Sequence, residues 1–141
     1  MALSPDISRK LLDLARAVGH IFIATADREG RPHLGAAAEL RLLDQGRLGV
    51  SAWFCPGTLR NLQDNPRLSL AIWDPLTDEG YQLLGRMEQI EETAIMDGYL
   101  PGEAQPPMPQ VQRLLVIAVE SVLHFSQAPH SDIEEPLNHS A

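Results

Sequence analysis

Hydrophobic residues recur along this chain with two periods, and the switch between them divides it into elements. From Ile7 the apolar positions Leu11, Leu14, Ala15 and Val18 fall at helical spacing, while Arg9, Lys10, Asp13 and Arg16 fall largely elsewhere. That pattern predicts an amphipathic helix over Pro5–Val18. Ser4 is placed as its N-cap, Pro5 at its first helical position and Gly19 at its end. The apolar face must cover something, most simply the open end of a sheet. From His20 the period falls towards two. HIFIATA (20–26) reads as a strand and DREGR as the turn after it. PHLGAAAELRLLD (32–44) reads as a longer, Ala-rich strand, and Asp44-Gln45-Gly46 turns into a third, RLGVSAW (47–53).

A different signal follows. Cys55-Pro56-Gly57 makes a turn, Thr58 can cap a short helix over 59–64 with Leu59 and Leu62 on one face, and Asn65-Pro66 stops it. RLSLAIWD (67–74) and YQLLGRMEQIE (81–91) alternate as strands across a turn over 75–80. EETAIMDGY (91–99) has the composition of a short helix. Four prolines between 101 and 109 make that stretch a loop, VQRLLVIAVESVLHF (111–125) is a last long strand, and the polar residues from Ala128 read as a tail. The expectation is a single domain over 1–127, with a tail over 128–141. It is mainly β: a six-stranded antiparallel split β-barrel of Greek-key type with an N-terminal helix and a short crossing helix. Nothing alternates as β-α-β-α, and no G-x-G-x-x-G occurs, so a Rossmann domain is not expected.

Charge and cysteine content narrow the function classes. Lys and Arg total 11 against 19 Asp and Glu, a net charge of −8 with no basic run. That balance argues against nucleic acid or an anionic membrane as the main partner, while leaving room for a local phosphate pocket. The one cysteine, Cys55, cannot form an internal disulfide and offers no metal framework. The histidines show no ligand spacing, and no G-x-S-x-G elbow supports hydrolysis. No apolar run reaches membrane length and the first residues lack the order of a signal peptide, so a cytoplasmic protein is expected.

The sequence IATADREGRPHLGAAAEL, then RLGVSAW, TLRNLQDNPRLSLAI and YQLLGRMEQI, resembles the pyridoxamine 5′-phosphate oxidase-like FMN-binding split barrels, especially their small flavin-binding members. The likeness covers about residues 20 to 125. Its sharpest parts are the Asp-x-x-Gly-x-Pro-His turn from Asp27 to His33 and the Asn-Leu-x-x-Asn-Pro element from Asn61 to Pro66. The resemblance implies a homodimer with FMN at the subunit interface and, by extension, a flavin-dependent oxidoreductase. It places the FMN phosphate around Cys55 to Asn61, where Thr58 matches a phosphate-contacting hydroxyl and Arg60 is the cation beside it. Two departures stand out. Pro56 and Gly57 occupy positions where many relatives carry Lys, Arg or Ser. Gly35-Ala36-Ala37-Ala38 occupies a strand that is often polar or basic.

Other residues admit two readings. Trp53 and Phe54 can wall a flavin ring or fill a core or interface. Trp73 and Tyr81 can reach the ring from the partner subunit or simply pack there. Ser51 can hydrogen-bond a ring edge. Glu39 and Arg41 read as a surface or interface pair, His33 as structural. The competing functions are the same barrel with a deazaflavin, with haem on an axial His33 or His124, or with no cofactor, acting as a binding or interaction protein.

Overall fold

A computed structural model describes residues 3–52, 56–96 and 110–137. Helix α1 (Pro5–Val18) is followed by strands β1 (Ile21–Ala26), β2 (Pro32–Ala37), β3 (Glu39–Leu42) and β4 (Leu48–Ala52), then helix α2 (Pro56–Asp64). Strands β5 (Arg67–Asp74), β6 (Glu79–Met96), β7 (Gln110–His124) and the two-residue β8 (Glu134–Glu135) complete the order. The caps of α1 act as expected. Ser4 accepts the Ile7 N–H at 3.1 Å, and Gly19 ends the helix at φ +82°, a backbone conformation glycine adopts without a Cβ penalty.

All pairings are antiparallel, in the order β2-β1-β5-β6-β7-β4-β3, with β8 added on β7. β2 and β3 are consecutive in sequence yet stand at opposite ends of this order, so the sheet curls towards closure as a split barrel. Three expectations change. The strand expected over 32–44 breaks at Ala38, because its first half pairs with β1 and its second with β4. With β8, this break raises the strand count from six to eight.

The helix expected over 91–99 is strand as far as Met96, and the rest of it lies outside the described residues. Glu91 pairs with Leu114 and Ile95 with Val111; the ladder offered by β7 outweighs local helix preference. Register shifts near Gln89 and Ala94 let the long pair of strands bend. Finally, α2 begins at Pro56 and not at Leu59. Proline's fixed φ suits a first helical position, so Thr58 lies inside the helix.

The core fills the concave side of the sheet. Ile21 and Ile23 of β1, Leu70 and Ile72 of β5, Val50 of β4 and Leu115 of β7 are completely buried, each worth roughly 1.5–3 kcal/mol. α1 covers them with Ile7, Leu11 and Ala15, packing on β5 and β3; α2 adds Leu62. β7 is buried on both faces, since Leu114 and Val116 alternate with Leu115 and Ile117 and all four are buried.

The convex side is different over β2, β1, β5 and β6. There Leu34 is 65% exposed, Phe22 43% and Leu84 37%, and the register sets small residues between them: Ala36 and Ala71 beside Phe22, Ala24 beside Leu34. Among the described residues, no helix is long and apolar enough to cross a membrane.

Candidate functional site

The turn from Asp27 to Arg31 is organised by one carboxylate. Asp27 accepts the backbone N–H groups of Glu29 and Arg31, both at 2.9 Å, and the Arg31 Nε at 2.8 Å. The Arg31 N–H, then its guanidinium, hold this carboxyl below the ordinary range. The turn delivers Pro32 and His33 to the start of β2, and α2 passes over this end of β1 and β2.

Here the polar side chains interlock. Asn61 Nδ2 donates to Thr25 Oγ1 at 3.1 Å, and Thr58 Oγ1 lies 3.5 Å from His33 Nδ1. Thr25 and Thr58 are both buried. Two glycines make the close approach possible. A Cβ on Gly57 would lie 3.2 Å from His33 Nε2, and one on Gly35 would lie 3.0 Å from the Thr58 hydroxyl.

Between the turn and α2 lies a groove of about 470 Å³, within the size range of small-ligand sites. Gly57, Arg60, Asn61 and His33 line it together with the turn. Arg28 pairs with Asp64 at 3.0 Å and Arg31 with Asp27 at 2.8 Å. Arg60 makes no ion pair among the described residues and is exposed. The groove thus holds an uncommitted cation one turn into a nine-residue helix, whose first N–H groups have no partner within the helix and favour an anion.

Ser51 stands on β4 opposite Glu39 of β3 and Leu114 of β7. Its neighbour Val50 faces the core, so by strand alternation Ser51 faces the convex side. It is only 2% exposed, and its hydroxyl has no hydrogen-bond partner among the described residues. A buried hydroxyl without a partner costs about 1–3 kcal/mol.

The structure therefore brings Thr58, Arg60 and Asn61 together, with Ser51 five residues before the helix they share. Thr58 turns its hydroxyl inward to His33, so it meets the groove through that ring. Trp53, Phe54 and Cys55 lie outside the described residues. Trp73 and Tyr81 stand at the far end of β5 and β6, beside another cavity. Trp73 Nε1 donates to Asp78 at 2.9 Å, and the Tyr81 ring meets His124 at 5.4 Å. Burial pushes the Tyr81 hydroxyl up, keeping it protonated. Glu39 and Arg41 form an exposed pair at 3.0 Å. Thr25, and His33 as a groove residue, were not singled out from sequence as site residues. His33 follows Pro32 in the turn motif, but only the β2–α2 contact shows which residue it meets.

The curled antiparallel sheet crossed by one short helix defines the split-barrel class. The pyridoxamine 5′-phosphate oxidase family model matches residues 7–126, and the chain belongs to that family. An uncharacterised protein of Methanocaldococcus jannaschii is 32% identical over 74 residues, 51% of this chain and 49% of that protein; the chain thus matches about half of that relative's length. Among solved structures, a pyridoxamine 5′-phosphate oxidase-related, FMN-binding protein from Nostoc punctiforme superposes with a TM-score of 0.63 at 17% identity, covering 92% of this chain and 89% of that one. HupZ from Group A Streptococcus gives 0.59 at 20% identity, covering 89% and 97%. An FMN-binding protein from Syntrophomonas wolfei gives 0.59 at 14% identity, covering 87% and 91%. At these identities the likeness is one of fold.

Proposed function

We propose that this protein binds FMN as a homodimer and serves as a flavin-dependent oxidoreductase of the cytoplasm. The observation that carries this reading is the uncommitted Arg60, one turn into α2 and beside Gly57. It gives an anionic group one cation near a helix N-terminus, whose dipole favours negative charge. The orphaned Ser51 hydroxyl, upstream on the convex face, is a donor suited to a ring edge. These residues fit the phosphate and part of the ring of a flavin nucleotide. FMN-binding proteins among the fold's neighbours support the choice of ligand.

In this reading Gly57, Arg60 and Asn61 hold the phosphate, and Thr58 steadies His33 at the groove wall. Trp53 and Phe54 flank the ring, and Trp73 or Tyr81 is contributed by the partner subunit. When bound, the flavin supplies the hydride or electron transfer, and the protein supplies orientation and exclusion of water. The convex apolar face around Phe22, Leu34 and Leu84 is the surface a second copy would cover. The test is titration of the purified apo protein with FMN, a deazaflavin and haem, read by absorbance. FMN should bind with saturation. Preference for either alternative would replace the ligand, and binding of none would leave a cofactor-free barrel.

A further inference from the structure

At the opposite end of the sheet from the α2 groove, α1, the β5–β6 turn and the segment after β7 border an open cleft of about 700 Å³. Its floor is aromatic. Tyr81 and His124 lie side by side across the β6–β7 register, their rings 5.4 Å apart, while Phe125, next along the chain, packs edge-on to Trp73 at 6.5 Å at the rim of the cleft. The wall beyond is pinned. His124 Nε2 meets Glu135 Oε1 at 2.6 Å, and the His124 backbone bonds Ile133 and Asp132 at 2.8 and 2.7 Å.

Charge in the cleft runs one way. Asp13, Asp74, Asp78 and Glu79 line it against one lysine, Lys10, whose ammonium already pairs with Asp6 at 3.2 Å. Asp78 is held by the indole of Trp73 and by the N–H groups of Gln127 and Ala128 at 2.8 to 3.0 Å. Asp13 and Glu79 make no side-chain hydrogen bond or ion pair among the described residues. An acidic rim alone would select no shape. An aromatic floor beneath it does, because a cation over a ring face gains from both the ring and the carboxylates.

We propose that this cleft binds a small organic cation, a protonated amine or quaternary ammonium on an aromatic or apolar frame. The frame lies on Tyr81 and His124, and the charge points to Asp13 and Glu79. The site shares Tyr81 with the flavin reading but none of the α2 groove, and its sign would repel a phosphate.

Three probes of one shape decide it: benzyltrimethylammonium, benzyl alcohol and benzoate, each titrated into the full chain and followed by NMR. Benzyltrimethylammonium should give saturable shifts at Tyr81, His124 and Phe125. Benzyl alcohol should bind several-fold more weakly, and benzoate not at all. Replacing the rim with Asp13→Asn and Glu79→Gln should weaken the cation about tenfold, without changing the unfolding temperature. Added salt should weaken the cation and leave the alcohol unaffected. The proposal is overturned if benzoate or benzyl alcohol binds as well as the cation. It is equally overturned if the shifts map to Gly57 and Arg60, or if the cation fails to saturate at millimolar concentration.

Discussion

The two ends of the sheet are lined by different elements and differ in charge balance, three carboxylates against three guanidinium groups at the α2 end and four carboxylates against one lysine at the other. At the α2 end, short backbone turns and bare glycines bring a helix start and the uncommitted Arg60 to the surface. At the other end, the rings of Tyr81 from β6 and His124 from β7 form a floor beneath carboxylates. The proposals put a phosphate at one end and a cation at the other. The lesson is that ligand sign here follows local turn chemistry, while the barrel between the ends only sets their distance.

Glycine substitutions at the two ends should separate them most sharply. A Cβ at Gly80 would sit 2.6 Å from the Ile72 carbonyl and 2.8 Å from that of Phe125. Backbone cannot yield there, so Gly80→Ala should cost about 1–3 kcal/mol or more in denaturant unfolding. Gly57→Ala meets only the far end of the His33 side chain, and alanine is the better helix former. Its stability should stay within about 0.5 kcal/mol of the parent, while phosphate affinity falls. Equal losses would show that the two ends are not built differently.

Asn61→Ala should cost stability as well as ligand affinity. It strands the buried Thr25 hydroxyl, at about 1–3 kcal/mol, measurable by thermal unfolding of the apo protein. On the convex face, Phe22→Asp with Leu34→Asp should leave a folded monomer in sedimentation at micromolar concentration. A dimer that persists would place the subunit interface elsewhere.

The acid limb gives a finer contrast. Asp78 is held below its ordinary value of 3.8, chiefly by the Gln127 N–H and then the Trp73 indole. A carboxyl depressed on folding stabilises fully above its unfolded value, and that contribution is lost as pH falls through the folded one. Asp78→Asn should therefore be less stable than the parent at neutral pH, and its unfolding midpoint should change less with pH below about 4. The smallest effect is expected at the exposed Arg28–Asp64 pair, where Arg28→Ala should cost at most about 1 kcal/mol.

Local chemistry was legible in the sequence where it acts locally. Ser4, Pro5 and Gly19 marked both ends of α1, and β1 and β5 followed from alternation. The break at Ala38 was hidden, because small residues suit a strand and a corner equally and only the change of pairing partner separates them. EETAIM read as helix because its ladder with β7 is set by residues far along the chain. Among candidate site residues, Thr58, Arg60 and Asn61 could be chosen from their place at a helix start. The inward turn of Thr58 depends on Gly35 of another strand, and no spacing within the helix reports it. Likewise the Tyr81–His124 contact exists only in the β6–β7 register.

The central claim is that the start of α2 holds a flavin by its phosphate, and comparing FMN with riboflavin tests it most directly. The two share a ring and a ribityl chain and differ in the phosphate alone. Titrated into the apo protein, FMN should bind at least about tenfold more tightly than riboflavin, the worth of one charge-assisted hydrogen bond. Arg60→Ala should remove most of that difference while leaving riboflavin affinity unchanged. Equal affinity for the two flavins in the parent protein would contradict the account.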